Sequence, residues 1–339
     1  DGKDAFIKAA RTRWENTSGV EVRYHQVDQH DWNLRETLRL RLTGQPTPIP
    51  EFLAADLAWA DVVVVEWGAA AAARISGMAF PGKLVVRLHR FEAFTVMPLL
   101  FNLPGIDHLV FEVAAVREAW QRAVGDAAAG VDAPVIPLEC ELRHFELPKE
   151  GDWRHTLALV GCSSNVKDPQ WALDLLALLR ERDAHWRLLL VGDVLSSTLT
   201  GSPEELRYVE RVRAALAVPD CGVEQLGFRT DIPEVLRSVG VIVSSSLVEG
   251  THAAVLEGAA SGCLPVVRDW PHVAAIGGAR ANFPAHWIVD TPQEAAQRIL
   301  AWDQELDLPA RDYVVDRWDS SQAGPLLDSL VLDDAAVRP

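Results

Sequence analysis

Short aliphatic runs alternate with longer amphipathic stretches along this chain, a pattern typical of βα units around a parallel sheet. A doubly wound domain normally opens with a strand, whereas this chain opens with a helix, so we expect an upstream segment to carry a first strand. In the first half, the pattern predicts strands at 20–25, 61–66, 83–88 and 108–111, and helices at 4–15, 32–42, 51–58 and 113–124.

The second half repeats this alternation as a complete doubly wound series. Its predicted strands are 157–160, 187–191, 223–226, 241–245, 264–268 and 287–289, and its helices are 169–182, 203–217, 232–239, 253–261 and 292–303. The proline-containing segment 134–152 is interpreted as a connection between domains. The sequence therefore predicts an α/β protein with an N-terminal domain at 1–150, a C-terminal Rossmann-like domain at 151–308 and a final segment, 309–339, that packs back on the first domain.

Composition narrows the class of protein. With 339 residues, of which 49% are hydrophobic, the chain can form two buried cores. A net charge of -16 argues against nucleic-acid partners. The four cysteines lie far apart without metal-ligand spacing, so we expect free thiols, no metal site and a reducing cytoplasmic location. No apolar run is long enough to predict a transmembrane segment.

The segment 241–267 carries the strongest chemical signal, because it predicts a strand, a glycine loop and a helix. The free N–H groups and the dipole at a helix start near His252 would favour a diphosphate, and Gly250 would let the backbone approach it. Glu249 and Glu257 suit sugar hydroxyls, since each carboxylate accepts several hydrogen bonds. The alternative to a sugar-binding pair is that Glu249 is only a loop carboxylate and Glu257 an ordinary glutamate on a helix face.

This segment resembles the retaining glycosyltransferases of the GT-B fold, in particular glycosyltransferase family 4, whose hallmark is E-x7-E. The resemblance runs from about 157 to 302, and more weakly through the first half. It implies two Rossmann-like, doubly wound domains that face a cleft, and a metal-independent, retaining transfer from a UDP-, GDP- or ADP-sugar without a cofactor. The matching positions are Ser245, Glu249, Gly250, Glu257, Ala259, Ser261, Gly262 and Pro265.

The resemblance also implies roles for individual residues. Glu257 would bind the ribose of the donor, and Glu249 would lie against the donor sugar as a catalytic residue. The backbone of Gly250, Thr251 and His252 would meet the diphosphate. The His252 ring could contact sugar or phosphate, or could be a solvated histidine at a helix start.

A second hallmark concerns the cations that hold the diphosphate. Lys167, after the first strand of the second domain, fits the lysine of this pattern, but the usual arginine is absent. Arg229 or Arg268 could supply that charge. For Arg229, a surface salt bridge with Asp231 is the equal alternative.

Candidates in the first domain concern the acceptor. His89 ends a predicted strand, where open α/β sheets bind ligands, and is our first choice of base. Glu66, Arg90 and Glu92 are acceptor-side candidates, although Glu66 could simply cap beside a packing tryptophan. The helix at 32–42 is basic and amphipathic, which would suit a membrane surface, but a domain helix with one buried stripe is commoner.

Two other classes of protein stay open. A sugar-nucleotide epimerase shares this architecture, and a catalytically inactive sugar-nucleotide-binding module would explain the missing arginine. The expected partners are a nucleotide-sugar donor and a small-molecule, glycan or lipid acceptor. We expect no nucleic acid and at most a peripheral membrane contact.

Overall fold

The computed structural model describes residues 5–26, 34–45, 48–78, 80–196, 200–302 and 309–333. The chain divides into two compact units, one of residues 1–140 with 320–339 and one of residues 141–319. The change of unit therefore comes earlier than the predicted boundary at 150. The predicted helix starts at 4 and 32, and the helix end at 303, lie outside the described residues.

The first unit is built on a parallel sheet of strands β1 (Val62–Glu66), β2 (Lys83–Leu88) and β3 (His108–Phe111), with β2 in the centre. Every residue of β2 is buried, which explains its continuous apolar run apart from Lys83 and Arg87. The helices of residues 1–140 are α1 (Ala5–Glu15), α2 (Leu34–Thr43), α3 (Glu51–Trp59), α4 (Ala70–Ile75), α5 (Arg90–Ala93) and α6 (Ala114–Val124).

The predicted strand at 20–25 is wrong. This stretch has no regular secondary structure, although its alternation has a structural counterpart. Val20 and Val22 pack on a core cluster, while Glu21 and Arg23 are exposed. Alternation alone does not distinguish a strand from an extended segment that buries one face without ladder hydrogen bonds.

The second unit contains a six-stranded parallel sheet in the order β6-β5-β4-β7-β8-β9. All six predicted strands are present. This is the strand order of a doubly wound Rossmann domain, with the topological switch point between β4 and β7. The strands are β4 (Thr156–Val160), β5 (Arg187–Val191), β6 (Val223–Gly227), β7 (Val241–Ser244), β8 (Leu264–Arg268) and β9 (Ile288–Val289), and the helices are α7 (Pro169–Arg180), α8 (Pro203–Leu216), α9 (Ile232–Arg237), α10 (Ala253–Ala260), α11 (Pro292–Leu300) and α12 (Pro309–Trp318).

The last two helices belong to different units. Helix α12 packs on α10, and Arg311 Nε donates to the Ala260 carbonyl at 2.8 Å. Helix α13 (Ser320–Leu332) instead packs on α1 in the first unit. There Arg13 bonds Asp328 (Nε–Oδ2 2.6 Å) and Glu139. Of the segment expected to return to the first domain, the structure places α13 there but not α12.

We expect Gly258→Ala to destabilise the second unit, because the added methyl would overlap Ile242 of β7. The free energy of unfolding should fall by about 1–3 kcal/mol, as for other overpacked cores. Urea denaturation would measure it. Gly130→Ala is the matched control, since nothing lies within 4 Å of its added Cβ. Equal stability of the two variants would contradict the close packing of α10 on β7.

Candidate functional site

Two loops leave the second sheet at its switch point, one after β4 and one after β7. They are bonded to each other: Leu247 N–H donates to the Val166 carbonyl at 2.8 Å, and Ser245 Oγ donates to the Lys167 carbonyl at 2.7 Å. Ligands of doubly wound sheets bind at this position, outside the carboxyl ends of the strands. The two loops therefore form one candidate site.

Lys167 and Glu249 face each other across these loops. Lys167 Nζ lies 2.5 Å from Glu249 Oε1, and the same carboxylate oxygen accepts a hydrogen bond from Ser246 Oγ at 2.7 Å. Burial raises the pKa of Glu249, but the charge that His252 carries at low pH, the Lys167 charge and the Ser246 hydroxyl outweigh it and lower this pKa to about 2. Glu249 is therefore ionised, and the structure brings together two residues predicted to act on the same donor.

His252 is buried rather than solvated, with 5% of its surface exposed. Its Nδ1 lies 2.7 Å from Ser244 Oγ, and the Trp270 indole N–H donates to the same hydroxyl at 3.2 Å. The ring also bonds to the Val160 backbone. Burial lowers the pKa of His252 to about 4, so the imidazole is neutral; its Nδ1 can then accept a hydrogen bond from the Ser244 hydroxyl while the ring N–H donates to the Val160 backbone.

The His252 ring thus joins the ends of β4 and β7 at the point where α10 begins. The interpretation of His252 as a solvated histidine is wrong, because apolar packing and two strand ends enclose it. Its predicted contact with the donor stays a prediction, and the ring nitrogens are already engaged within the protein.

Glu257 lies on α10, about one turn from its start, and differs from Glu249 in its surroundings. Among the described residues its carboxylate has no hydrogen-bond or ion-pair partner, and burial raises its pKa to about 7. A half-buried carboxylate without a partner is costly unless something supplies donors. The side chain therefore suits a ligand that carries hydroxyl groups.

The turn before α10 holds the other predicted donor contacts. The Gly250 carbonyl accepts from Asn282 Nδ2 at 2.5 Å, which anchors the loop. Thr251 is 8% exposed, and its hydroxyl has no hydrogen-bond partner among the described residues. The diphosphate contact of this backbone stays a prediction.

Neither candidate arginine is free of a carboxylate. Arg229 forms a bidentate salt bridge with Asp231 (2.8 and 2.5 Å) on an exposed loop. This is the surface salt bridge given above as the alternative to a role in diphosphate binding. Arg268, at the end of β8, lies closer to the two loops: it bonds Asp168 Oδ2 at 2.6 Å and the Ser245 carbonyl at 3.3 Å.

Sequence reasoning missed the residue that holds Arg268. Asp168 has a left-handed backbone, with φ 42°, and also accepts from the Tyr208 hydroxyl at 2.7 Å. The only sequence signal was its position directly after Lys167 and before Pro169, where a helix cap is expected.

A second cluster lies at the carboxyl ends of the strands of the first unit. His89 follows the central strand β2 and contacts a carboxylate on each side: Nε2 lies 2.7 Å from Glu66 Oε1, and Nδ1 lies 2.6 Å from Glu112 Oε1. Arg87 also bonds Glu66, with Nη1 2.8 Å from Oε2. Sequence reasoning did not pair Glu112 with His89, although parallel strands bring these positions to one edge.

This geometry speaks against His89 as a general base. Burial lowers the pKa of His89, but the two carboxylates outweigh it and raise the pKa to about 10. The ring is therefore charged near neutral pH, so each of its nitrogens carries a proton. Trp67 stacks on it with ring centroids 4.3 Å apart.

Two further acceptor-side candidates lie next to His89. Glu92 is 4% exposed, and burial raises its pKa to about 7. Arg90 is half-buried at the start of α5. Glu66 is held by Arg87 and His89, which lower its pKa despite burial, so it does more than cap a strand.

Within the residues that the structure describes, no three His, Cys, Asp or Glu side chains come together as a metal-ligand set. In the same residues, no helix is long and apolar enough to cross a bilayer.

Comparison with known proteins supports a class. Residues 154–302, which include both loops, match the family model described as Glycosyl transferases group 1. The fold is that of GT-B glycosyltransferases, with mixed α/β structure and parallel sheets. No curated protein sequence matched the chain.

Solved structures with the same fold include three that we compare directly. TarM of S. aureus is 14% identical, with 82% of this chain and 56% of TarM covered and a TM-score of 0.63. HepE of Anabaena, in complex with UDP and glucose, is 17% identical, with 84% of each chain covered and a TM-score of 0.61. A glycosyltransferase of Rickettsia africae is 14% identical, with 96% of this chain and 88% of that chain covered and a TM-score of 0.62.

The chain thus spans just over half the length of TarM. The family match and the shared fold together support a GT-B glycosyltransferase.

The Lys167–Glu249 ion pair gives a first prediction for this site. In Glu249→Gln the ammonium loses its counter-charge, and the negative charge that would repel a diphosphate is gone. We expect UDP to bind about tenfold more tightly, corresponding to ~1.4 kcal/mol, while turnover falls. Isothermal titration calorimetry with UDP would measure the affinity.

Glu181→Gln, on an exposed position after α7, is the control for the loss of one carboxylate. Weaker UDP binding in Glu249→Gln than in the control would show that the ion pair does not compete with a diphosphate.

The raised pKa of Glu257 gives a pH prediction. If hydroxyl groups bind its carboxylate, binding favours the ionised form, so affinity should rise as the pH increases from about 6 towards about 8, by up to about tenfold per pH unit. UDP-glucose is the probe, because its diphosphate does not change charge over this range. In Glu257→Gln the pH dependence should disappear; a wild-type slope that persists in this variant would assign the titration to another group.

Proposed function

We propose that this protein is a retaining glycosyltransferase that moves a sugar from a nucleotide-diphosphate sugar to an acceptor hydroxyl without a metal ion. The observation that carries the proposal is Glu257: a carboxylate without a partner among the described residues, on the helix that begins at the switch point of a doubly wound sheet. Retention and the E-x7-E assignment rest on the sequence resemblance around Glu249 and Glu257.

The donor side of the proposal uses the two bonded loops. The first-turn N–H groups of α10 and the Lys167 ammonium would hold the diphosphate and stabilise its charge as the bond from the anomeric carbon to the phosphate oxygen breaks. Glu257 would accept hydrogen bonds from the ribose, and Glu249 would lie against the sugar. His252 acts as a positioning residue in this scheme, because its ring fixes the start of α10 against β4 and β7.

A UDP-sugar is the first donor to test. The structure of HepE contains UDP and glucose, and that of the pneumococcal transferase GtfA contains UDP and GlcNAc. GDP- and ADP-sugars are the other donors within the proposal, which includes no cofactor and a cytoplasmic location.

The acceptor side of the proposal uses the cluster of the first unit. Glu66, Glu92 and Arg90 are the side chains proposed to face the acceptor. His89, charged and bonded to Glu66 and Glu112, would orient these carboxylates rather than take the acceptor proton. The acceptor is a small molecule, a glycan or a lipid headgroup that offers a hydroxyl.

The proposal is tested by binding and turnover together. UDP, GDP or ADP should raise the melting temperature of the wild type, and the corresponding nucleotide sugar should yield free nucleotide with an acceptor, unchanged by EDTA. NMR of the product should show the anomeric configuration of the donor. Glu257→Ala should lose at least about 1.5 kcal/mol of nucleotide binding, the value of a hydrogen bond to a charged group.

Glu210→Ala, on the exposed face of α8, is the matched control and should behave as the wild type. Stabilisation without turnover would favour the inactive binding module. Conversion of the nucleotide sugar without an acceptor would favour the epimerase. No stabilisation by any of the three nucleotides would contradict the proposed donor site itself.

A further inference from the structure

Helix α2 exposes apolar side chains next to arginines. Thr37 and Leu40 are buried, whereas Leu42 is 76% exposed and Leu38 is 40% exposed. The commoner expectation for this segment, a domain helix with one buried stripe and one solvated face, agrees with the burial of Thr37 and Leu40, but the solvated face also carries leucines. The exposed leucines alternate with Arg35, Arg39 and Arg41, all of which are exposed.

A second exposed apolar group lies in an adjacent part of the first unit. The segment 91–99 exposes two aromatic rings, Phe91 (66%) and Phe94 (48%), together with Val96 and Leu99. Its 3-10 turn, Met97–Leu100, contacts both α2 and α5. Arg41 Nη2 donates to the Phe101 carbonyl at 3.2 Å, which ties the end of α2 to this segment. We call α2 and the segment 91–99 together the basic-apolar surface.

The charge of this surface opposes that of the whole chain. The net charge is -16, yet among the described residues no carboxylate forms an ion pair with Arg35, Arg39 or Arg41. Arg39 bonds the Gln45 amide oxygen at 2.9 Å. Glu36, the acidic residue of α2, is paired with Arg74 at 3.2 Å instead. Within the part of the chain that the structure describes, no ion pair neutralises these three arginines, which leaves their charge available to an external partner.

These features select the partner. Exposed leucine and phenylalanine beside unpaired arginines is the pattern of surfaces that enter the headgroup region of an anionic bilayer. A two-fold symmetric dimer through this surface would fit poorly, because it would bring three arginines against three arginines. A soluble polyanion would not use the exposed rings.

We propose that the basic-apolar surface docks the protein on anionic phospholipid, with the arginines on lipid phosphates and the side chains of Leu42, Phe91 and Leu99 in the interface. The docking is peripheral. It does not depend on the proposed sugar transfer, and its test does not measure activity.

The experiment is sedimentation of the full chain with vesicles of phosphatidylcholine, with or without phosphatidylglycerol. The wild type should pellet with the anionic vesicles, less at high salt, and stay in solution with phosphatidylcholine alone. The triple variant Arg35→Gln, Arg39→Gln, Arg41→Gln should lose on the order of a hundredfold in partitioning, from about 1 kcal/mol for each arginine.

Two further variants distinguish an effect of this surface from an effect of net charge and from a loss of folding. Arg207→Gln, Arg211→Gln, Arg213→Gln removes the same charge from exposed positions of α8 and should pellet as the wild type. Leu42→Ser with Leu99→Ser keeps all arginines and should weaken binding at unchanged melting temperature. The proposal fails if the wild type stays in solution, if the α8 variant loses binding equally, or if these substitutions dissociate a dimer without changing lipid binding.

Discussion

The hydrogen bond from the Leu247 N–H to the Val166 carbonyl joins the loops after β4 and β7, and the candidate site depends on it. It brings Lys167 within 2.5 Å of Glu249, although 82 positions separate these residues in the chain. The buried His252 also holds the ends of β4 and β7 together, because its ring bonds Ser244 and the Val160 backbone. The positions of the Lys167 and Glu249 charges at the switch point therefore depend first on how the backbone joins the two loops, and only then on the side chains.

Two glutamates eight positions apart show how the surroundings divide similar residues into different tasks. Glu249 meets an ammonium and a hydroxyl and stays ionised, whereas Glu257 has no hydrogen-bond or ion-pair partner among the described residues, and burial raises its pKa to about 7. A contact that Glu257 lacks within that part of the chain has to come from a ligand or be left as a cost of folding. The eight-residue separation of the two glutamates in the sequence does not reveal this difference, whereas their contacts in the structure do.

Much of the second unit could be predicted from the sequence, because its buried parallel strands have continuous apolar runs and its loops carry the motif residues. The strand predicted around Val20 and Val22 is absent, because these side chains pack on the core from an extended segment that does not pair with a neighbouring strand. The cluster around His89 was only half predictable. A strand end could be recognised, but its two carboxylate neighbours depend on the order of β1, β2 and β3, which local pattern does not contain. Asp168 was missed as well, because its partners Arg268 and Tyr208 come from distant parts of the chain.

The chain leaves the first unit near residue 140 and re-enters it at residue 320. Arg13 and Asp328, 315 positions apart, close that loop with a hydrogen bond. During synthesis, the continuous segment 141–319 is complete while the first unit still lacks its last helix. Residues 1–140 are consequently synthesised with the face of α1 that α13 will cover still open, so the first unit is complete only after α13 has been made.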